Sequence, residues 1–189
     1  MDVIAHGLWA AAAAIGKRNL AGKRLPVGWM TWWAMFPDVF AFGPSVAVAL
    51  WLRLAGGPDY GRAVHRGHLP HVGLGLPLYP ASHSLVVFAL VFGLVAVVAR
   101  RPVLGLLGWL LHILIDIPTH SLEFYATRFL WPIAGWRIDG ISWRTPWFLL
   151  CTYIALVLVY FLLWRSGRLA QALSRKRQAR PAATPGAAS

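Results

Sequence analysis

The chain has 189 residues, of which 58% are hydrophobic and 13% are charged. Soluble domains carry about 25% charged residues, so this composition excludes a soluble globular enzyme, and its hydrophobicity excludes a disordered protein. Eighteen Lys and Arg stand against six Asp and Glu, a net charge of +12. The cations lie mostly between and after apolar runs, so we expect lipid head groups rather than nucleic acid as their partners. The single cysteine, Cys151, excludes an intrachain disulfide and a cysteine-based zinc site.

Long apolar runs predict an all-α, polytopic transmembrane bundle. In chain order the five segments are Val3–Gly16, Val27–Leu52, Ser84–Ala99, Val103–Ile117 and Trp147–Trp164. Pro37 is expected to kink or break the second segment. We therefore expect a transmembrane helical domain over residues 1–166, followed by a basic, largely disordered cytoplasmic tail over residues 167–189.

The distribution of Lys and Arg predicts the orientation of the bundle. Twelve of these residues follow segments one, three and five, whereas six lie on the opposite side in two longer loops. By the positive-inside rule, the N-terminus lies outside and the C-terminal tail lies in the cytoplasm. The expected location is the inner (plasma) membrane, crossed several times, with the lipid bilayer as a partner.

Ionisable residues inside the apolar segments predict a metal site. They are His6, Asp38, His83, His112 and Asp116. Each is costly to bury in hydrocarbon, so partners are expected, and counting residues from the segment ends places all five in the outer half of the bundle. His112 and Asp116 are four residues apart and share one helix face. Three imidazoles and two carboxylates suit a divalent metal, zinc first, with manganese or iron as alternatives.

Two residues near the outer mouth are candidates for moving a proton, His120 and Asp139. Pro118 interrupts the helix before His120, so the direction of that imidazole is open. Asp139 lies in an apolar stretch of the outer loop, where it could support the metal ligands or act as a general base. A solvated aspartate in a turn is an equal alternative for it, and Glu123 in the same loop is a weaker candidate.

Three histidines follow the second segment at intervals of three residues, namely His65, His68 and His71. Glycine and proline between them disfavour a helix, so we expect an interfacial loop with pH-dependent charge. A phosphate bound by Arg62 and Arg66 is the alternative. The role of these histidines stays open at this point.

A series of short motifs appears in a fixed order along the chain. They are Ala5-His6-Gly7, Pro37-Asp38, Ser82-His83-Ser84, His112-x-x-x-Asp116 and Trp131-Pro132-Ile133. Together they resemble the bacterial inner-membrane metal-dependent hydrolase family, which is distantly similar to zinc-dependent phospholipase C. The resemblance covers most of the chain up to about residue 140 and implies a hydrolase. Phe40 stands where that family often has a second aspartate, which leaves the number of metal ions open.

The leading hypothesis is a membrane-embedded metal-dependent hydrolase that acts on a lipid-like or phosphoester substrate from the outer side. A second resemblance is to membrane phosphatidic acid phosphatases, through Ser82-His83 and His112-x-x-x-Asp116. That pattern lacks the usual glycine, and Arg101 precedes His112 by eleven residues instead of six. The non-enzymatic alternatives are a haem-binding redox protein and a structural or binding bundle. Substrate identity and oligomeric state are not predicted.

Overall fold

The computed structural model describes residues 1–21, 24–56 and 75–178. This part of the chain is 73% helical and contains no strand. Its elements are α1 (Val3–Ala21), α2 (Val27–Leu54), α3 (Gly75–Ser82), α4 (Leu85–Ala99), a 3₁₀ turn (Leu104–Leu106), α5 (Leu107–Thr119) and α6 (Pro146–Gln178). The all-α class is therefore confirmed. The three histidines at 65, 68 and 71 lie outside the described residues.

Two helices, α2 and α6, are long and apolar enough to cross a membrane. Only 17% of the most apolar window of α2 and 11% of that of α6 is buried within the protein. A helix of a soluble core would bury most of such a window, so these apolar surfaces face outward and favour contact with lipid. Helix α4 and the stretch 104–119 are shorter apolar helices, and a bundle with five crossings stays a prediction.

The structure bears on two expected boundaries. Helix α2 runs from Val27 to Leu54 with Pro37 and Pro44 inside it, so the segment is not broken at Pro37, and the kink stays a prediction. One proline removes one backbone donor, and the packed turns on either side can still hold the helix. The expected division after residue 166 falls inside α6, which continues to Gln178 because Arg, Leu, Ala, Lys and Gln favour helix there. Residues 179–189 lie outside the described chain.

The close approach of α2 and α5 organises the interior. Helix α2 packs against α1, α3 and α5, and α1 also packs against α6. Gly108 of α5 lies against the backbone of α2: a Cβ atom there would be 2.0 Å from the carbonyl oxygen of Met30. Only glycine permits that separation of the two backbones. A core cluster beside this contact comprises Phe88, Leu106, Trp109 and Ile113.

The start of α4 is fixed by a serine cap. The hydroxyl oxygen of Ser84 accepts hydrogen bonds from the backbone N–H groups of Val86 and Val87, at 3.1 and 3.2 Å. Such a cap satisfies two donors of the first turn, which have no partner within the helix. His83 is thereby held between α3 and α4, immediately before the cap.

Candidate metal centre

All five predicted ligands are buried. Four are fully enclosed, and Asp38 is 8% exposed. They come from separate parts of the fold: His6 from α1, Asp38 from α2, His83 from the junction of α3 and α4, and the last two, His112 and Asp116, from α5. Because Gly108 lets α5 approach α2, the residues of these two helices meet across a short gap.

One ligand atom from each of Asp38, His83, His112 and Asp116 lies within 4.8 Å of the other three. The Nε2 atoms of His83 and His112 are 3.0 Å apart. The Oδ2 atom of Asp116 is 3.4 Å from the first and 3.2 Å from the second. The Oδ1 atom of Asp38 is 3.5 Å from His83 Nε2 and 3.8 Å from His112 Nε2. We call these four residues the His/Asp cluster.

The contacts of the opposite ring nitrogens bear on which tautomer each imidazole adopts. His112 Nδ1 lies 2.6 Å from the backbone oxygen of Ala34, and His83 Nδ1 lies 3.1 Å from that of Tyr79. A carbonyl oxygen only accepts, so His112 Nδ1 carries the hydrogen and donates it, and the lone pair of a neutral His112 lies on Nε2, facing the cluster. His83 Nδ1 also lies 2.9 Å from the Ser82 hydroxyl, which can either donate to it or accept from it. Anchoring one imidazole nitrogen in this way is the usual arrangement of a metal-binding histidine.

Acceptor atoms are concentrated at the centre of the cluster. Asp116 Oδ2 is buried and has no hydrogen-bond partner within the described chain. It faces the Nε2 atoms of His83 and His112, and a buried group of this kind needs a cation or a proton among its acceptor atoms. Two ligands of a tetrahedral zinc ion lie about 3.3 Å apart, close to the His–His and His–Asp separations of 3.0 to 3.8 Å found here, and all four ligand atoms lie within 4.8 Å of one another. The residues present therefore fit a divalent metal ion.

His6 lies on the other side of Asp116. Its Nε2 atom is 2.8 Å from Asp116 Oδ1, and its ring stacks on His112 with the centroids 3.7 Å apart. Among the described residues, neither ring nitrogen of His6 has a hydrogen-bond partner, so the contact with Asp116 is an ionic one when the imidazole is protonated. The ammonium group of Met1 donates to the same carboxylate oxygen at 2.6 Å. His6 thus belongs to the immediate surroundings of the cluster, and its role as a ligand stays a prediction.

The structure separates the two candidate proton carriers. His120 is 5% exposed, and its Nδ1 atom lies 3.4 Å from Asp116 Oδ1 and 3.1 Å from the Asp116 backbone oxygen. Burial lowers the pKa of His120 to about 4, so its imidazole is neutral near pH 7. Asp139 is exposed, and its Oδ1 accepts a hydrogen bond from the backbone of Leu122 at 2.9 Å. That contact braces the outer loop and does not involve the cluster.

Two cavities adjoin the site. A cavity of about 230 Å³ is lined by Asp38 and His120, together with Met1, Phe42, Tyr125 and Trp143 among others. A second, apolar cavity of about 710 Å³ lies between α1, α5 and α6, with walls that include Trp9, Ile115 and Phe148. Met1 lines both cavities. The polar site therefore lies next to an apolar groove, the second cavity.

Sequence patterns did not indicate two neighbours of the cluster. Tyr79 stacks on His83 with the ring centroids 3.8 Å apart, and its hydroxyl donates to the Tyr125 backbone oxygen at 2.9 Å. Tyr79 follows a Gly/Pro-rich stretch without periodicity, so no signal marked it. The ammonium of Met1 is a main-chain group, so no residue type in the sequence indicates its contact with the cluster. The serine before an apolar run, Ser84, is a recognisable cap signal that would have fixed the position of His83.

Comparisons with protein families, with curated proteins and with solved structures found no match to this chain. The fold and the site together define a helical protein that has two outward-facing apolar helices and a buried His/Asp cluster. This cluster can hold a metal ion.

Proposed function

We propose that the protein is a membrane-embedded metal-dependent hydrolase that acts on a lipid-like or phosphoester substrate. The observation that carries the proposal is the convergence of acceptor atoms from Asp38, His83, His112 and Asp116 in a buried site. Structural polar clusters pair donors with acceptors, whereas Asp116 Oδ2 in this cluster has no hydrogen-bond partner among the described residues.

Zinc is the ion that the ligand set favours. Two imidazole nitrogens and two carboxylates provide the N and O donors that zinc binds, and manganese or iron would accept the same set. The two carboxylates cancel the charge of one divalent ion, which matters where little water screens it. Asp38, His83, His112 and Asp116 would hold the ion, and His6 lies next to it beside Asp116. A bound divalent ion would lower the pKa of a water molecule toward 7 and polarise a scissile ester.

His120 is the proton carrier that the geometry favours. It lines the same small cavity as Asp38, so a substrate that enters the cavity meets both side chains. Its neutral imidazole can accept a proton from a nucleophilic water and return it to a leaving group. Its Nδ1 contacts with Asp116 hold the ring in place. For the exposed Asp139, the supported role is to hold the outer loop in place through its hydrogen bond with Leu122.

The lipid-like substrate class follows from the surroundings of the site. The apolar groove beside Met1 would take an acyl chain while the polar head lies in the smaller cavity. A volume of about 710 Å³ falls in the range of ligand pockets. The groove is bounded by α6, one of the two helices with an outward apolar surface, so a chain could enter laterally from the bilayer.

The proposed location is the inner membrane of a bacterium, crossed several times. The excess of cations on one side supports an outer N-terminus and a cytoplasmic C-terminus. The cluster then lies toward the outer face, and the substrate would reach it from there. The ordered His and Asp motifs support membership of the inner-membrane metal-dependent hydrolase family as part of the same proposal.

The alternatives have less support. The Nε2 atoms of His83 and His112 are 3.0 Å apart, whereas a haem iron bound between two imidazoles needs about 4 Å. Arg101, the candidate arginine for phosphatidic acid phosphatase chemistry, is exposed in the connection between α4 and the 3₁₀ turn, before α5 begins. A metal-free structural cluster is favoured by one observation, the ammonium of Met1 bonded to Asp116. In that case a proton would have to separate the two imidazoles.

Metal analysis of the detergent-purified protein tests the proposal. Wild type should contain one or more divalent ions per chain, measured by elemental mass spectrometry. Asp38→Asn and Asp116→Asn keep the side-chain shape but remove a charged ligand, so metal affinity should fall by more than about 100-fold. Asp139→Asn is the matched control, because this exposed aspartate lies away from the cluster.

Hydrolysis is measured on the same preparations with a chromogenic phosphodiester and with fluorescent phospholipids in mixed micelles. The two cluster variants should lose turnover, and the Asp139→Asn variant should keep it. A wild-type protein that stays free of metal after incubation with zinc, with all variants equally stable, would refute the metal site. Bound metal without turnover on either substrate class would refute the proposed substrates.

A further inference from the structure

A basic cavity lies at the end of the bundle opposite the His/Asp cluster. Its volume is about 750 Å³, and three of the residues that line it are Arg18, Arg24 and Arg168. Arg18 is twelve residues after His6 on α1, a distance of about 18 Å along the helix axis. The cavity is therefore separate from the proposed catalytic site.

No carboxylate faces these arginines within the described chain. Asp38 and Asp116 lie in the cluster, and Asp2 accepts a hydrogen bond from Tyr153 near the N-terminus. The two other described acidic residues, Glu123 and Asp139, belong to the outer loop between α5 and α6. All of them are at the other end of the bundle. Three guanidinium groups around one cavity without a counter-charge attract an anion.

The depth of the cavity fits the head-group layer of a membrane. The candidate span of α6 is Pro146–Leu169, so Arg168 lies in the last turn before the helix leaves the apolar region. Its guanidinium lies 5.0 Å from the ring centroid of Trp164, a cation–π contact that restrains it. Tryptophan is enriched at the membrane interface, where lipid phosphates also lie.

The walls of the cavity are of two kinds. Arg18 and Arg24 contribute charge, whereas Ile15, Leu163 and Trp164 contribute apolar surface. A free inorganic phosphate would use the charged wall only. A phospholipid would use both, with its phosphate on the guanidinium groups and its glycerol and first methylenes on the apolar side.

We propose that this cavity binds the head group of an anionic phospholipid. Basic pockets between transmembrane helices commonly bind such lipids. By the cation count, this end of the bundle faces the cytoplasm, where the lipid would come from the inner leaflet. The site would fix α1 against α6 at that surface. The inference depends on membrane association and is independent of the hydrolase activity.

Native mass spectrometry of delipidated protein in detergent tests the site, with phosphatidylglycerol as the probe. The triple variant Arg18→Gln/Arg24→Gln/Arg168→Gln should bind it at least about tenfold more weakly than wild type. The matched control is Arg100→Gln/Arg101→Gln/Arg165→Gln, which also loses three positive charges but alters no residue of the cavity wall. The control variant should bind like wild type. Phosphatidylcholine should bind more weakly than phosphatidylglycerol to wild type.

Three outcomes would overturn the proposal. Equal losses in the two triple variants would mean that only net charge attracts the lipid. Equal binding of phosphatidylcholine would remove the selectivity for anionic lipid. Retention of inorganic phosphate in place of phosphatidylglycerol, through the same arginines, would make the site a soluble-anion site. The single variant Arg168→Gln, with an unchanged melting temperature, should show a smaller loss of binding and excludes misfolding as the cause.

Discussion

Replacing Gly108 with alanine is a direct test of how the fold builds the site. A Cβ at this position would lie 2.0 Å from the carbonyl oxygen of Met30 and 3.0 Å from the backbone nitrogen of Ala34. Ordinary contacts begin at 3.4 Å, so α5 and α2 would have to separate locally by about 1.4 Å. Both clashes are with backbone, which cannot rotate away as a side chain can.

The separation would act on the His/Asp cluster through His112, one turn after Gly108. Its Nδ1 lies 2.6 Å from the Ala34 oxygen, and a shift of about 1.4 Å would break that hydrogen bond. Metal sites tolerate ligand displacements of only about 0.2 Å. We therefore expect Gly108→Ala to lose about 1–3 kcal/mol of stability from overpacking and most of its metal.

The assay combines thermal unfolding in detergent with elemental analysis. Gly93→Ala is the control, because Gly93 lies within α4 with nothing within 4 Å of an added Cβ. It should keep its metal and gain about 0.5–1 kcal/mol of stability, since alanine favours helix over glycine. A Gly108→Ala protein with wild-type melting temperature and metal content would refute the proposed packing of α5 on α2.

The remaining predictions concern the proton carrier and the sidedness of the site. His120→Gln should retain the metal but reduce kcat by a factor of about 10² to 10⁴, because the side chain that accepts the proton is gone; unchanged kcat would exclude His120 as the base. In spheroplasts, a membrane-impermeant chelator added outside should abolish hydrolysis without permeabilisation, because the cation distribution places the cluster toward the outer face. Inhibition that requires permeabilised membranes would invert the proposed orientation.

Much of the site could be predicted from the sequence, because burying a charged side chain in an apolar segment is so unfavourable. Asp38 and Asp116 stand out in apolar segments, and each needs a partner at its own depth. Counting residues from the helix ends gave that depth, since the rise per residue of a helix is constant. The structure brings both into one group with His83 and His112.

The rest depended on contacts that have no sequence period. Helix α2 continues through Pro37, although the local rule favoured a break, because packing against α1 and α5 holds the turns on both sides. Tyr79 stacks on His83 from a short helix that could not be predicted, because its sequence has no apolar periodicity. The sequence placed Asp139 in the outer loop but left open whether it supports the cluster, and the structure shows it exposed and hydrogen-bonded to the backbone of Leu122.

The contacts of the two facing histidines connect the fold to the chemistry. The backbone oxygen of Ala34 fixes the Nδ1 hydrogen of His112, so the interior of the bundle, rather than any ion, directs the lone pair of a neutral His112 toward His83, with the two Nε2 atoms 3.0 Å apart. In a medium with little water, a positive charge between these two nitrogens stabilises the arrangement. A proton shared between the two imidazoles would still leave Asp116 Oδ2 without a hydrogen-bond donor among the described residues. A divalent ion can contact acceptor atoms from all four residues, as the proposed metal site requires.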